Sequence, residues 1–380
     1  MNLPIYWTDP TNVGPFSTVV EEKEGTKIKL RDKILYPEGG GQPADKGIIE
    51  MNGAKVEILD VTEISGDIWV IVDNPDILKI GSPVTIWVDH ERRQILRQMH
   101  SGQHLFSAIL ESEFNAKTTR VQMSEEESEI NTDVKLSESQ LNKAEDLVNQ
   151  RILENHPIIS QFVKKNQVEL GRIRGEMKIG EIEGDVVRLV QIGENASIDL
   201  NPCGGTHLHS TSEIGLFLIT SVDGKRIKFK CGKPAFQYAV KIAQMTRKLR
   251  NELSTKPDKM IEKISSMKEE AKRARKSQEK LALDLLEKHL VSDYPSSVFI
   301  ELEHIPREIF QKWKPSTIPK QPIFFGLENK FLGILGHDDM LEKKIDQLKQ
   351  MGFKGNGKKG KYLFKYLGKA PNYDITRVIE

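Results

Sequence analysis

The sequence predicts an α+β protein with a small N-terminal β-barrel, a metal-binding α+β domain, a helical hairpin or coiled coil, and a small C-terminal α/β domain. Three observations support this prediction. Short strands and turns fill residues 1–90, helices and strands alternate over residues 91–233, and two charged helical patterns precede a final group of strands. A chain of 380 residues is also too long for one ordinary core.

The N-terminal barrel, predicted over residues 1–90, rests on closely spaced strands and turns. Turn pairs such as Glu24-Gly25 and Asn52-Gly53 separate segments rich in β-branched residues. This spacing is typical of small barrels. The strands are predicted at residues 26–30, 56–60, 68–72 and 83–88.

Helical periodicity begins after Asp89, a predicted N-cap, and indicates a helix over residues 92–113. A second helix is predicted to begin after Ser137 and to end near residue 153. Strands are predicted at residues 186–190, 214–219 and 226–230. Together they predict an α+β domain over residues 91–233.

Residues 234–292 carry apolar side chains at alternating spacings of four and three, the pattern of a coiled-coil seam, with a break at Pro257. A helical hairpin packed on its own domain and an arm that dimerises explain this pattern equally well. Residues 293–380 form the predicted C-terminal domain. Its predicted elements are strands at 297–301, 323–327, 331–335 and 362–366 and a helix at 337–352.

The composition restricts the classes of function. Hydrophobic residues make up 38% of the chain, charged residues 29%, and the net charge is +1. Nucleic-acid binding would therefore depend on local basic patches. Only two cysteines, Cys203 and Cys231, are present, which favours a reducing compartment over a disulfide scaffold. Because no signal peptide or membrane-length apolar run is visible, we expect a cytoplasmic protein that does not bind membranes.

Two pairs of potential metal ligands are the most informative feature. His100 and His104 lie one helical turn apart on the same face of a predicted helix, and Cys203 and His207 flank two glycines. Three imidazoles and one thiolate suit a tetrahedral zinc ion, so we predict one zinc per chain. A buried cysteine with a capping histidine is the alternative, and His209 is a rival ligand. Four protein ligands would make the site structural, whereas a catalytic zinc keeps one position open.

A glycine-rich loop is the second candidate site. Gly39, Gly40 and Gly41 would let the backbone approach a ligand and offer N–H groups to an oxyanion or a phosphate. The amide of Gln42 adds a donor and an acceptor. The alternative is a flexible hairpin loop without a ligand.

A basic loop over residues 354–361 is the third candidate. Lys354, Lys358 and Lys359 stand among glycines and beside aromatic residues. Lysines contact phosphates and aromatic rings stack on bases, so the loop is a candidate for nucleic-acid binding. The alternative is a solvated turn next to a buried strand.

Four motifs occur in a specific order: YPEGGGQPADKG, MHSGQHL, CGGTH and GKRIKFKCG. Over roughly residues 5–240 they resemble the editing domain of alanyl-tRNA synthetase and its freestanding relatives, the AlaX proteins. The helical segment and the last domain look like the C-terminal DHHA1 region of the synthetase. This makes the chain similar to the long form, AlaX-L. The motif variants HSGQH and PEGGGQ leave the choice between serine and glycine as substrate open.

This resemblance implies a zinc-dependent aminoacyl-tRNA deacylase that hydrolyses tRNA(Ala) mischarged with serine or glycine. It implies a zinc-dependent editing domain over residues 91–233 and a DHHA1-like domain over residues 293–380. The expected partners are mischarged tRNA(Ala) and a second copy of the chain, bound through the C-terminal region. The implied site residues are zinc ligands His100, His104, Cys203 and His207, catalytic Gln42, and tRNA- or substrate-binding Gly39, Gly40, Gly41, Arg226, Lys354, Lys358 and Lys359.

Two other functions remain open. One is a zinc-stapled tRNA-binding module without hydrolytic activity, and the other is an editing enzyme for threonyl-tRNA synthetase products. A Gln42→His substitution that spares zinc and folding would separate the first alternative from the enzyme, because only the enzyme would lose activity.

Overall fold

The computed structural model describes residues 3–168, 173–174, 185–290, 294–302, 304–328 and 331–366. The chain divides into two compact units, residues 1–247 and residues 248–380. The predicted boundary at residues 292 and 293 and the chain beyond residue 366 lie outside the described residues. Within the described part, no helix combines the length and apolar character needed to cross a bilayer.

The first unit begins with a closed six-stranded barrel, which confirms the predicted α+β class with an N-terminal barrel. Antiparallel pairing runs in the order β1-β2-β5-β4-β3-β6, and the first strand pairs with the last. Alternate residues such as Val20, Ile28, Ile49 and Ile86 fill the interior because successive side chains of a strand point to opposite faces. The elements are α1 Ile5–Thr8, β1 Phe16–Glu24, β2 Lys27–Leu30, β3 Gly47–Met51, β4 Ala54–Ile64, β5 Asp67–Val72 and β6 Pro83–Val88.

The remainder of the first unit consists of helices and two antiparallel sheets, ordered β12-β13-β8-β7 and β11-β10-β9. Its elements are α2 His90–Phe114, β7 Thr118–Gln122, β8 Ser128–Thr132, α3 Glu138–Leu153, β9 Ile158–Lys164, β10 Val186–Ile192, β11 Asp199–Pro202, β12 Phe217–Asp223 and β13 Arg226–Cys231. Helix α4, Gly232–Leu253, continues across the division between the units.

Helix α2 positions the candidate site. The carboxylate of Asp89 accepts from the N–H of Arg92 at 3.0 Å and caps the helix, as predicted. On one face of the helix, the ring of Phe106 packs against the ring of Phe217 in the adjacent sheet, with 4.8 Å between the ring centroids. Another face carries Arg93, whose Nε donates to the Asp45 carboxylate at 2.8 Å. This buried ion pair fixes the helix to the glycine-rich loop of the barrel.

Helix α3 begins and ends as predicted, with Ser137 and Gln140 forming a capping box. The predicted first residue of the strand at 214–219 is wrong. A short 3-10 turn ends at Ile214, and β12 begins only at Phe217. Gly215 has φ 81°, which interrupts the extended chain between them.

The second unit contains a five-stranded sheet ordered β14-β15-β16-β18-β17, in which only β14 and β15 are parallel. Residues 354–361, predicted as a loop, instead form most of the β17–β18 hairpin. Its tight turn is at Lys359 and Gly360, both with positive φ. The elements are α5 Met260–Leu290, β14 Val298–Glu301, α6 Arg307–Lys312, β15 Ile323–Leu327, β16 Phe331–Leu335, α7 Asp338–Gln350, β17 Phe353–Lys358 and β18 Lys361–Tyr366.

Candidate metal centre and adjoining cavity

Four side chains converge in one buried cluster that could hold a metal ion. His100 and His104 project from α2, and Cys203 and His207 lie on the loop after β11. One ligand atom from each lies within 4.8 Å of the others. The Sγ of Cys203 is 3.3 Å from Nε2 of His100 and 3.2 Å from Nε2 of His207.

Each histidine of the cluster is oriented through its second ring nitrogen. The distances from Nδ1 are 2.7 Å from His100 to Oε1 of Gln42, 3.1 Å from His104 to Oδ2 of Asp199, and 3.2 Å from His207 to Oγ of Ser101. Metal-bound histidines commonly have such partners. Tetrahedral zinc bonds would place the ligand atoms roughly 3.4–3.6 Å apart, close to the separations of 3.3 and 3.2 Å between Sγ of Cys203 and the Nε2 atoms of His100 and His207. The donor set therefore fits a tetrahedral metal ion.

The electrostatics of the cluster favour a thiolate. Burial alone would raise the pKa of Cys203, but the neighbouring His100, His207 and His104 outweigh burial and hold that pKa well below its usual value. Burial lowers the pKa of His100 and His207, whereas Cys203 and Asp199 outweigh burial at His104 and raise its pKa to about 9. A thiolate and neutral imidazoles are the forms that bind metals, so metal binding would displace a proton from His104.

The two glycines between Cys203 and His207 have different roles. A Cβ on Gly205 would lie 2.1 Å from Cε1 of His100, whereas a Cβ on Gly204 would have Trp7 as its nearest neighbour at 3.9 Å. Neither glycine has a positive φ. Only Gly205 is therefore required, and the reason is space for the His100 ring.

Gln42 lies directly behind the metal cluster. Its side chain is fully buried, and Oε1 accepts from Nδ1 of His100 and from the N–H of Thr206 at 3.0 Å. Its Nε2 donates to Oγ1 of Thr206 at 2.9 Å. Because His100 donates from Nδ1, its Nε2 is available to a metal. This geometry makes Gln42 a positioning residue for His100.

A cavity of about 390 Å³ opens beside the cluster. Gly39 and Gly40 line it together with Tyr36, whose hydroxyl donates to the Gly39 carbonyl at 2.7 Å. Gly41 packs elsewhere, since a Cβ there would lie 2.6 Å from the carbonyl oxygen of Val121. Gln42 is not among the described residues that line the cavity. The barrel loop thus supplies one wall of the cavity, and the metal cluster supplies another.

Two polar groups that the sequence did not reveal also line this cavity. Arg174 donates from Nε to Oδ1 of Asp199 at 2.7 Å, and Asp199 in turn contacts His104. Thr118 also lines the cavity, and its Oγ1 lies 2.7 Å from Oγ of Ser107. No spacing rule marks such partners in the sequence, because they become neighbours only after folding.

Known proteins with similar sequences include tRNA synthetases and alanyl-tRNA editing proteins. Residues 11–92 match the family described as tRNA synthetases class II (A). Residues 187–228 match the threonyl and alanyl tRNA synthetase second additional domain. Over 275 residues the chain is 30% identical to the alanyl-tRNA editing protein AlaX-L of Pyrococcus horikoshii, covering 69% of this chain and 66% of that protein. The chain is thus similar to the AlaX family of alanyl-tRNA editing proteins.

Other similar proteins are similarly distant. It is 30% identical over 267 residues to alanyl-tRNA editing protein Aarsd1-A of Xenopus laevis, covering 69% of this chain and 62% of that protein. It is 29% identical over 313 residues to alanine–tRNA ligase of Archaeoglobus fulgidus, covering 78% of this chain and 32% of the ligase. The chain therefore spans less than two thirds of the length of each of these relatives.

The remaining predicted residues are not among the described residues that line the cavity. Arg226 is on the exposed β12–β13 turn, where it pairs with Asp223 at 2.7 Å. Lys354, Lys358 and Lys359 are exposed on the β17–β18 hairpin of the second unit.

Proposed function

We propose that this protein is an AlaX-type, zinc-dependent deacylase that removes serine, or glycine, from mischarged tRNA(Ala). The observation that carries this proposal is the convergence of three imidazoles and one thiolate beside a cavity walled by the glycine-rich loop. Two relatives are named alanyl-tRNA editing proteins, which supports the same substrate class for this chain.

In this proposal His100, His104, Cys203 and His207 would hold the zinc. Because four protein ligands close a tetrahedral site, the zinc would act as a Lewis acid for the ester or its amino group only by taking a fifth ligand, and with four ligands it would position the residues of the cavity wall. Gln42 fixes the ring of His100. Hydrolysis of an ester places negative charge on the carbonyl oxygen in the transition state. We propose that the backbone N–H of Gly40, a residue of the cavity wall, donates to that oxygen.

Selection of serine over alanine requires a partner for the serine hydroxyl. Nε2 of Gln103 donates to Oγ of Ser107 at 2.8 Å, and Ser107 contacts Oγ1 of Thr118 at 2.7 Å. Gln103 and Thr118 line the cavity. A site built to bond a hydroxyl discriminates more strongly than one that measures size alone. We therefore propose this polar wall as the contact for the serine hydroxyl.

The rest of the tRNA would be bound by basic residues outside the cavity. We propose that Arg226 contacts the acceptor end and that Lys354, Lys358 and Lys359 contact phosphates. Their exposure supports this proposal, since phosphate contacts need accessible cations. We further propose a homodimer formed through the C-terminal region.

A Thr118→Val variant tests the enzyme against a tRNA-binding module that uses zinc only as a staple. No hydrogen bond among the described residues joins Thr118 to the four candidate ligands, whereas Gln42 bonds His100, so the Gln42→His test suggested by the sequence would also disturb the ligands. We expect Thr118→Val to slow hydrolysis of Ser-tRNA(Ala) by at least tenfold with unchanged zinc content. A zinc-loaded wild-type protein that binds tRNA but releases no serine would establish the module instead.

A further inference from the structure

A second cavity, of about 460 Å³, shares the ring of Trp7 with the first cavity. The metal cluster also borders both, because Cys203 lines the first cavity and His207 lines the second. Both cavities lie within the first unit of the chain. A ligand that occupied both would pass beside the metal cluster.

Three planar groups form one wall of the second cavity. The Trp7 and Phe162 rings lie 6.1 Å apart with a tilt of 38°, and the guanidinium carbon of Arg188 is 5.9 Å from the Trp7 ring. Phe162 is 36% exposed. Single exposed aromatic residues are ordinary, but an exposed ring next to a second ring and a cation suits a planar, electron-rich ligand.

Arg188 indicates that this wall is built around fixed contacts. The residue is only 4% exposed, and it donates to the carbonyl oxygens of Cys203 and Gly205 at 2.9 and 2.7 Å. Its other terminal nitrogen donates to Oγ of Ser160 at 2.8 Å. Its Nε has no hydrogen-bond partner among the described residues. An unpaired buried donor is unfavourable until an acceptor reaches it.

We propose that this second cavity binds the 3′-terminal nucleoside of the tRNA, with its base stacked on Phe162 and Trp7. The amino acid is esterified to the ribose of that nucleoside, so the two must occupy adjoining sites. Trp7 stands between the two cavities, which places the ester beside the metal cluster when the base is stacked. This inference rests on the proposed function, because it assigns a position to the other half of the same substrate.

The inference can be tested by binding alone, without hydrolysis. Uncharged acceptor-stem hairpins ending in CCA or in CC are titrated against wild-type protein and Phe162→Ala, and fluorescence anisotropy gives each Kd. Stacking on an aromatic side chain predicts that removal of the terminal A weakens wild-type binding roughly tenfold. The same removal should change Kd less than about twofold in Phe162→Ala, because the platform is already lost.

Two further substitutions distinguish stacking from ordinary packing. Phe162→Leu keeps an apolar side chain but loses the π face, so it should behave like Phe162→Ala, whereas Phe162→Trp should restore the preference for the terminal A. Leu153→Ala, at an exposed position at the end of α3, serves as the surface control. Zinc content and thermal unfolding should match wild type in all four variants.

The outcomes separate this inference from the proposed function. A wild-type Kd that is unaffected by the terminal A, or an equal loss in wild type and Phe162→Ala, overturns the nucleoside site. If Phe162→Leu prefers the terminal A as strongly as wild type does, stacking is also overturned. The coupling measured here is the dependence of the terminal-A effect on the ring of Phe162. If Ser-tRNA(Ala) is hydrolysed but this coupling is absent, only this inference fails. If the coupling is present without hydrolysis, the nucleoside site stands and the deacylase proposal fails.

Discussion

The amide of Gln42 joins the barrel to the metal cluster. It belongs to the loop between β2 and β3, yet it bonds His100 of α2 and Thr206 of the segment between Cys203 and His207. One side chain therefore fixes the ligands contributed by two distant segments. Groups of this kind commonly affect metal affinity or activity by 10- to 100-fold, although they do not touch the metal.

Replacing Gln42 with leucine should weaken zinc binding and slow deacylation by roughly 10- to 100-fold, because His100 loses the acceptor for its Nδ1–H. The measurement is zinc affinity by competition with a chromophoric chelator, together with the deacylation rate. Thr206→Val is the matched control, since it removes a partner of Gln42 and leaves the bond to His100. Wild-type zinc affinity in Gln42→Leu would contradict this role.

The ligands themselves were accessible from sequence, and their supporting groups were not. His100 and His104 follow the helical repeat, and Cys203 and His207 flank a short glycine pair, so both pairs are visible as spacings. Asp199 and Ser101 have no such pattern. They reach His104 and His207 across 95 and 106 residues of chain, and a contact of that range depends on the completed fold.

The loop between β11 and β12 depends on one glycine for its shape around the metal. Gly205→Ala should abolish zinc binding at stoichiometric metal, because the added methyl group would overlap the His100 ring. Gly204→Ala is the matched control and should bind zinc normally, with the nearest atom 3.9 Å from the new Cβ. Metal content after gel filtration distinguishes the two variants. Equal zinc content would show that the loop can shift to accept the methyl group.

Regular elements with strong local signals were predicted well, whereas the glycine-rich ones were not. The capping box at Ser137 and the alternation in β6 identify α3 and β6 from their own residues. Residues 354–358 are a strand despite their glycines, because β17 pairs along β18. A Cβ on Gly355 or Gly357 would lie 2.1 or 2.2 Å from a β18 carbonyl oxygen, a tertiary constraint that composition does not express.

Exposed apolar residues along α5 bear on the proposed dimer. Met267 is 47% exposed and Leu281 is 67% exposed, and both belong to the predicted coiled-coil seam. A variant that combines Ile264→Glu with Met267→Glu should be monomeric in sedimentation equilibrium where the wild type is dimeric. The reason is that burying unpaired charges at seam positions is unfavourable. Lys272→Glu, an exposed charge reversal on α5, is the control. A monomeric wild-type protein would refute the proposed dimer.

The charge distribution of the whole chain predicts how tRNA affinity responds to salt. The net charge is only +1, so the proposed tRNA binding would rely on local cations, for which Lys354, Lys358 and Lys359 are the proposed residues. Changing all three to alanine should weaken tRNA binding and lower the slope of log K against log salt by about 2–3. The triple arginine variant keeps the charge and should preserve the slope. An unchanged slope in the alanine variant would exclude phosphate contacts by this hairpin.

Hydrolysis of Ser-tRNA(Ala) and Ala-tRNA(Ala), followed in parallel with native, metal-stripped and zinc-reloaded protein, tests the proposed activity most directly. We expect rapid release of serine, at least a hundredfold slower release of alanine, loss of activity on stripping, and its recovery with zinc. Cys203→Ala should remain inactive after reloading because it lacks one ligand. Absence of serine release from folded, zinc-loaded, tRNA-binding protein would contradict the deacylase assignment and leave a binding module.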